Sequence, residues 1–540
     1  MTRWLWTFLI VGVAGSLSVL WLTSWPLGIP GEWTWDRVAA EPDLVWNLIG
    51  GAVAAALYAA FVEAGRRRFH RKAGVGLSRV ETIAWLSALA GVSLAWLWIV
   101  QETAPVKNRL GKAAFVLYFK GSSGYFTKAR HEAPHAAEFL QSYEALMRER
   151  DVLHVGTHPP GLFLIFHGLI GACRWSPLLS SLLDATQPSS FVEACDVIAN
   201  LVARSDKAQP LLPLDRRVLW LATLLVMSTA SLTVWPLYAL VRRSHSAETA
   251  WWTASLWPAV PAMAVFIPKS DVMYAFVGLM ITWTWLAAQD RRSIALGLLA
   301  GVLAWCGLMM SLAFLPVLLF TALVSLMELP SQENSLQECG VPSPRSDGEV
   351  KDRDESESVS RYQLRLTWPP ACCLVAALAG FAIPVLLLGW VGRANLLAIW
   401  LLNYQNHAAF YEHYPRTYWK WLLANPLEFS FAAGWPVCLL AASHVCLAMR
   451  LRRSALTSLA LAVAFVWGSL WLTGKNSGEA ARLWIIFLPW LVWLAGTRLA
   501  MLAAASERTW LPPALAVLVL QLATALLTVS RVSGFNFVSF

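Results

Sequence analysis

The feature that most constrains this chain is a series of apolar segments that recur from one end to the other, each about 20 residues long. A helix of that length crosses the roughly 30 Å hydrocarbon core of a bilayer. Only helices and closed barrels satisfy every backbone hydrogen bond in lipid, and these segments are continuously apolar rather than alternating. Charged residues are only 14% of the 540, whereas soluble domains contain about a quarter. We therefore predict an all-α fold, a polytopic transmembrane helical bundle of about 13 or 14 spans. The predicted helices include 82–100, 250–266, 272–288 and 429–449, and a polar turn is predicted over 26–37.

Short basic clusters between the spans predict the orientation. The strongest is GRRRFHRK, Gly65–Lys72, and others follow at 241–245, 289–293 and 450–453. Because basic residues concentrate on the cytoplasmic side, we predict that all four clusters lie inside. The same rule accounts for the net charge of +9 without nucleic-acid binding. Four segments then share the outer face: 101–158, 268–271, 403–428 and 474–482.

Changes in polarity divide the chain into three parts. We predict N-terminal transmembrane helices over 1–327, with the long outer loop 101–158, and C-terminal transmembrane helices over 367–540. The polar, charged stretch 328–366 predicts a disordered cytoplasmic linker. The first apolar segment lacks a small-x-small cleavage pattern, so we favour an uncleaved first helix over a signal peptide. The acidic segment 174–217 predicts a re-entrant or weakly apolar helix.

The segment DVLHVGTHPPGLFLIF, Asp151–Phe166, places polar and stiff residues at the outer mouth of an apolar helix. Pro159 and Pro160 suit a helix start, where backbone amides have no partners within the helix. Thr157 and His158 are predicted to cap that end or to face a ligand. Because the helix dipole favours an anion there, we predict a rigid, donor-rich pocket for a phosphate.

Metal binding is not predicted. His154 and His158 are four residues apart, a spacing that suits metal binding only when both lie on a helix. Gly156 and the following prolines disfavour a helix there. No cofactor is therefore predicted, and a requirement for a divalent cation is left open. The eight cysteines show neither metal-ligand nor disulfide spacing and are predicted to pack in the core.

Ionisable residues in the outer segments are candidates for binding an anionic substrate, because charges at membrane level are costly and usually functional. Each also has an ordinary explanation: a cation that reaches to lipid headgroups, Asp271 as a helix cap, or Glu479 and Arg482 as an i,i+3 ion pair. The substrate- and phosphate-binding candidates are Tyr125, Lys128, His154, Lys269, Asp271, Lys475, Glu479 and Arg482.

Several of these segments resemble the GT-C superfamily, the polytopic glycosyltransferases that use polyprenyl-phosphate sugars. SGYFTKA followed by THPPGLFLIF is similar to the first outer loop of the protein O-mannosyltransferase and aminoarabinose transferase branches. GEAARLWIIFLPW is similar to a segment of related bacterial membrane mannosyltransferases. The resemblance covers the general layout of most of the chain.

The resemblance implies an acidic base at the outer tip of a helix, and the matching residue is Glu102. Asp151 is an alternative, and so are Glu32 and Asp36, which follow the first helix, the usual position in the family. His158 would position the phosphate of the donor. The cations that would hold the departing polyprenyl phosphate are Lys269, Lys475 and Arg482.

The sequence therefore predicts an inverting glycosyltransferase of GT-C type in the plasma (inner) membrane, with its active site on the extracytoplasmic face. The expected partners are a polyprenyl-phosphate sugar donor, membrane lipid, and a glycan, lipid or protein acceptor. A transporter or flippase for a lipid-linked or anionic solute is the alternative, although it would need polar groups at mid-membrane depth, where few are present. An inactive scaffold and an O-antigen ligase-like enzyme that uses diphosphate donors also stay open.

Overall fold

The computed structural model describes residues 2–72, 76–152, 155–204, 210–327, 368–451, 456–504 and 513–535. The predicted linker 328–366 and His154 lie outside the described residues. The division of the chain on either side of that linker therefore stays a prediction.

The described chain is almost entirely helical. The helices before the linker are α1 (Thr2–Leu22), α2 (Leu44–Arg71), α3 (Arg79–Glu102), α4 (Lys112–Tyr118), α5 (Tyr125–Thr127), α6 (Ala136–Arg148), α7 (Gly161–Trp175), α8 (Pro177–Thr186), α9 (Ser189–Ala203), α10 (Pro213–Leu232), α11 (Val234–Val241), α12 (Ala247–Leu256), α13 (Pro261–Val265), α14 (Asp271–Arg291), α15 (Ile294–Met310) and α16 (Phe314–Leu326). The helices after it are α17 (Ala371–Val391), α18 (Leu396–His413), α19 (Tyr418–Ala433), α20 (Trp435–Leu451), α21 (Leu456–Leu472), α22 (Ala480–Leu483), α23 (Leu488–Ala504) and α24 (Pro513–Val529).

The number of helices that could cross a membrane is lower than predicted. By length and composition, 7 helices of the described chain are long and apolar enough, or up to 9 if each of two bent pairs forms one span. Four further apolar helices, within α15, α16, α21 and α24, have only 10–17 residues, and the predicted 13 or 14 spans included them. Several long apolar helices still indicate a multi-pass membrane protein.

The predicted single helix over 429–449 is wrong, because the chain turns sharply at Gly434. Helices α19 and α20 are bent by 117° there, and Gly434 has a φ of +85°, which favours glycine. A Cβ at this position would lie 2.2 Å from the Gln521 side-chain nitrogen. That nitrogen donates to the Ala433 carbonyl at 2.6 Å, so a side chain of α24 satisfies the end of α19.

Two other predicted elements are also interrupted. The predicted helix 250–266 consists of α12, a 3₁₀ turn at Trp257–Ala259 and α13, because prolines at 258 and 261 lack the amide that a continuous helix requires. The predicted loop 101–158 contains α4, α5 and α6, and the predicted outer segment 403–428 is largely helical. Residues 27–37, predicted as a polar turn, form the strands β1 (Leu27–Ile29) and β2 (Trp33–Arg37), and β2 pairs with β3 (Val532–Ser533).

The acidic segment 174–217 is bent, in line with its weakly apolar sequence. Helices α7 and α8 meet at 103°. Asp184 pairs with Arg217 at 2.6 Å and Asp196 with Arg216 at 2.7 Å. These ion pairs give two acids of the segment a partner, which lowers the cost of keeping those charges near lipid.

Three of the four basic clusters predicted to share one side, at 65–72, 241–245 and 289–293, lie at one end of the bundle. Arg66 of α2 contacts Glu248 of α12 at 3.2 Å, and Arg243, next to α11, pairs with Asp290 of α14. The helix ends that carry these clusters are therefore neighbours. The structure contains no membrane, so the side on which they lie stays a prediction.

We expect Gly301→Ala to destabilise the fold, because α15 and α17 pack with their backbones in close contact. A Cβ on Gly301 would lie 2.0 Å from the Ala377 carbonyl oxygen, and overpacking of a tight contact costs about 1–3 kcal/mol. Thermal unfolding in detergent should show a lower midpoint. Gly168→Ala is the control, since nothing lies within 4 Å of its Cβ position. Equal midpoints for the two variants would contradict this packing.

Candidate functional site

An ion pair on the short helix α22 forms one wall of the candidate site. Glu479, with a φ of +58°, precedes α22, and its Oε2 accepts from Arg482 at 3.0 Å. The Arg482 side chain is only 13% exposed. Its buried Nε has no hydrogen-bond partner among the described residues. The predicted i,i+3 ion pair is present, and the guanidinium keeps a donor for a ligand.

Lys269 and Asp271 form a second wall, just before α14. Lys269 is 7% exposed, and its ammonium donates to the Ser122 carbonyl. Burial lowers the pKa of Lys269 to about 7; the charge of Arg482 acts in the same direction, and Asp271 opposes it. Asp271 is the first residue of α14 and makes no capping bond. Among the described residues no donor reaches its carboxylate.

Two tyrosines connect these walls. Burial raises the pKa of Tyr125 well above its ordinary value, and the charge of nearby Asp271 acts in the same direction. Burial alone would lower the pKa of Arg482, but Glu479 and Asp271 raise it above its ordinary value. These mutual interactions bring one group together, hereafter the polar cluster: Tyr125, Lys269, Asp271, Tyr274, Glu479 and Arg482.

The His-Pro-Pro mouth lies beside the polar cluster. The His158 ring contacts the Tyr125 ring edge to face, with centroids 5.6 Å apart. The His158 carbonyl accepts from Tyr143 at 2.6 Å and from Asn403 at 3.1 Å. The residue before α7 is Pro160, which makes no side-chain capping bond, and Thr157 and His158 contact each other just before it, at 3.1 Å between Oγ1 and Nδ1. The His-Pro-Pro mouth is held rigidly by two side chains, Tyr143 of α6 and Asn403 of α18.

A cavity of about 740 Å³ reaches Ala481, the residue before Arg482, and is lined by none of the six residues of the polar cluster. Its walls come mainly from α1, the β1–β2 hairpin, α13 and α19, and are mostly apolar. Five tryptophans line it: Trp25, Trp35, Trp419, Trp421 and Trp435. Because tryptophan concentrates where hydrocarbon meets polar headgroups, the cavity suits the chain of an amphiphile.

Glu428 connects the cavity to the polar cluster. It lines the cavity, and its Oε1 accepts from the Trp35 indole at 2.7 Å and from the Ala481 amide at 3.1 Å. Ala481 immediately precedes Arg482 and also lines the cavity. On the other side, the Trp35 ring packs against Phe266, 5.2 Å away. Ala481, which lines the apolar cavity, and Arg482 therefore share α22.

Two predicted acids have structural contacts elsewhere. Glu102 accepts from the Leu110 amide at 3.1 Å and from the Ser190 hydroxyl at 2.7 Å, so it ties the end of α3 to α9. Asp151 accepts from the Val155 amide at 3.3 Å, within its own turn. These contacts do not join either acid to the polar cluster.

The alternative base Glu32 is also held by many contacts. Its carboxylate accepts from the Thr417 amide at 2.8 Å and the Trp421 indole at 2.7 Å. Burial opposes ionisation, but hydrogen bonds from Thr417, Trp421 and Lys420 lower the pKa of Glu32 to about 2. Such a carboxylate is a weak proton acceptor and holds the hairpin against α19. Asp36 lies on β2 opposite Ser533.

Two predicted cations have partners outside the cluster. Lys128 pairs with Glu132 at 3.1 Å. The Lys475 ammonium lies 5.2 Å from the centre of the Tyr404 ring, as a cation–π contact. His154, another of the eight predicted binding residues, lies outside the described residues. Of the eight predicted binding residues, the polar cluster unites Tyr125, Lys269, Asp271, Glu479 and Arg482.

The sequence analysis missed two residues of the site. Tyr274 lies three residues after Asp271, so it shares a helix face with it. Glu428 is an acid inside an apolar run, and that is itself a signal of function at membrane level. Among the described residues no group of three or more histidines, cysteines or acids could hold a metal ion.

No model of a known protein family matches the chain, and no curated protein matches it either. The chemistry of the site and the short segments that resemble the GT-C superfamily are therefore the basis for a functional proposal.

Proposed function

We propose that the chain is an integral membrane glycosyltransferase of GT-C type that moves a sugar from a polyprenyl-phosphate donor to an acceptor hydroxyl. The observation that carries the proposal is the junction of a buried cation pair, Lys269 and Arg482, with an apolar cavity of about 740 Å³. A phosphate at the cations and a lipid chain in the cavity would meet at this junction. The resemblance of the GEAARLW and THPPG segments supports the same function.

Arg482 and Lys269 would bind the donor phosphate and stabilise the negative charge that grows on it as the sugar departs. Lys269 adds a point charge, whereas Arg482 offers a planar set of donors. The acceptor oxygen would attack the anomeric carbon while the bond from that carbon to the phosphate oxygen breaks. The bonding electrons leave with polyprenyl phosphate, and a single displacement inverts the anomeric centre.

We assign the base to Asp271 instead of Glu102. Asp271 belongs to the polar cluster and its carboxylate has no donor among the described residues. Glu102 is occupied by Leu110 and Ser190. Asp271 would take the proton of the acceptor hydroxyl, and the helix dipole of α14 would stabilise its ionised form. His158 would act through Tyr125, whose ring it contacts.

The direct test is sugar turnover by the purified protein in lipid nanodiscs. Polyprenyl-phosphate sugars would be supplied with membrane extract as the source of acceptor, and release of polyprenyl phosphate would be followed together with the glycosylated product. Catalysis predicts both products in equal amounts. Movement of intact donor across vesicles, with no release of polyprenyl phosphate, would instead establish the flippase alternative.

A pH dependence follows from Lys269. Because burial lowers its pKa to about 7, the ammonium is charged below that pH and neutral above it. A sugar phosphodiester does not titrate in this range, so kcat/KM, which reports the free enzyme, should fall as the pH rises through about 7. Lys269→Arg keeps its charge and should remove the fall. A flat wild-type profile between about pH 6 and pH 9 would contradict the role of Lys269.

A further inference from the structure

The cavity contains polar atoms that the fold leaves unsatisfied. Glu428 Oε2, Trp435 Nε1 and Thr528 Oγ1 are buried and have no hydrogen-bond partner among the described residues. All three side chains line the cavity of about 740 Å³, and Thr528 is only 5% exposed. A buried polar group without a partner is costly to maintain. The three atoms comprise an acceptor, a donor and a hydroxyl, the complement of a ligand hydroxyl.

The charge of the cavity differs from that of the polar cluster. Of the described residues that line it, only Lys420 and Glu428 are charged, with opposite signs. Lys420 lies at 3.4 Å from Glu32, which already offsets its charge. A phosphate next to Glu428 would be repelled by the ionised carboxylate in these apolar surroundings, whereas a neutral group would not. A neutral headgroup is therefore the better match to this cavity.

The position of Glu428 places such a headgroup near the proposed reaction centre. Lys420 and Glu428 lie on α19 eight residues apart, which is about 12 Å along the helix. Glu428 lies on the side of the cavity that contacts Ala481, next to Arg482. A hydroxyl bound at Glu428 would thus lie beside the polar cluster, with its hydrocarbon chain among the tryptophans.

We propose that this cavity binds a neutral lipid alcohol, a long-chain amphiphile whose hydroxyl donates to Glu428 Oε2 and accepts from Trp435 Nε1. The inference rests on the proposed function in one respect: the lipid alcohol is the acceptor, and the phosphate-bearing donor binds at the polar cluster. Among protein, glycan and lipid acceptors, the cavity selects a lipid with an unsubstituted hydroxyl.

The test compares hexadecanol with hexadecyl methyl ether, which has the same chain and an acceptor oxygen but no donor. Binding to the purified protein in nanodiscs would be measured by displacement of radiolabelled hexadecanol. A hydrogen bond to a carboxylate predicts that the alcohol binds about ten-fold more tightly than the ether. Equal affinities would overturn the proposal. Tighter binding of hexadecyl phosphate than of hexadecanol to Arg482→Ala protein, which lacks the phosphate-binding guanidinium, would do the same, because it would assign the cavity itself to an anionic lipid.

Single substitutions locate the binding. Glu428→Gln should reduce the preference for alcohol over ether toward unity. Thr528→Val, which is nearly isosteric, should weaken both ligands. Thr524→Val is the matched control: Thr524 lies one turn earlier on α24, and its hydroxyl already donates to Leu520 at 2.7 Å. The proposal is wrong if Thr524→Val and Thr528→Val weaken binding equally, or if Glu428→Gln leaves the preference unchanged in protein whose unfolding midpoint is normal.

Failure of this inference is distinguishable from failure of the proposed function, because binding is measured without donor. Sugar transfer that depends on Arg482, together with equal binding of alcohol and ether, would disprove the acceptor assignment alone. A clear preference for the alcohol without any sugar transfer would disprove the glycosyltransferase and leave a lipid-alcohol site.

Discussion

Replacing Arg482 by alanine should lower kcat/KM for sugar transfer by about 10²- to 10³-fold or more. The guanidinium is only 13% exposed, and Glu479 is its one carboxylate partner within 4 Å among the described residues. In such a site a fixed cation acts on the growing charge of the leaving phosphate with little screening by water. Arg482→Lys keeps the charge but loses the planar set of donors, so its activity should be intermediate. The measurement is transfer of radiolabelled sugar in nanodiscs.

The loss must be separated from misfolding, because removing one partner of a buried ion pair leaves the other charge uncompensated. The double variant Arg482→Ala with Glu479→Gln removes both charges and should recover the unfolding midpoint but not the activity. Arg67→Ala is the control cation, since Arg67 is 65% exposed and pairs with Glu63 at the other end of the bundle. Wild-type transfer by the double variant would remove Arg482 from the mechanism.

Asp271→Asn should lower kcat by about 10²- to 10⁴-fold, the usual range for loss of a general base, with little change in donor binding. Asparagine keeps the shape of the side chain and loses its capacity to take a proton. The carboxylate has no donor among the described residues, so the unfolding midpoint should change little. Steady-state kcat and KM, with donor binding measured separately, would show whether the loss lies in kcat and not in donor binding.

Glu102→Gln is the informative comparison for Asp271→Asn. In Glu102→Gln the side-chain amide oxygen can still accept from Leu110 and Ser190, as the Glu102 carboxylate does. Near-normal activity is therefore expected. Inactive Glu102→Gln beside active Asp271→Asn would return the base to the residue that the sequence resemblance indicated. Glu32→Gln and Asp36→Asn complete the series, and loss of activity in either, with a normal unfolding midpoint, would move the assignment to the hairpin.

The helices predicted best are those whose boundaries depend on local signals. The predicted third helix, 82–100, lies within α3, and the predicted 272–288 lies within α14. Both end where apolar residues give way to charge or to a cap. The break at Gly434 was missed, because a hydropathy pattern registers how apolar a residue is and not whether its φ is positive. What stabilises that turn is Gln521, about ninety residues away in the chain.

The same contrast applies to the site. Charge at membrane level singled out Lys269, Asp271 and Arg482 in the sequence, and the fold brings the three within electrostatic reach of one another. Their interactions with Tyr125 and Tyr274 required the packing of three separate segments of the chain. Glu428 was missed because the predicted outer segment ended at that residue, and only the fold shows its carboxylate against Trp35 and Ala481.

Hydropathy and charge are properties of short stretches of chain, so the order of amino acids was enough to identify a many-helix membrane protein and the ionisable residues between its apolar segments. The fold was needed to show where the helices break, which acids already have partners, and that a large apolar cavity reaches the residue next to Arg482. Those features depend on contacts between residues hundreds of positions apart, and such contacts are set by how the helices pack, which no local pattern encodes.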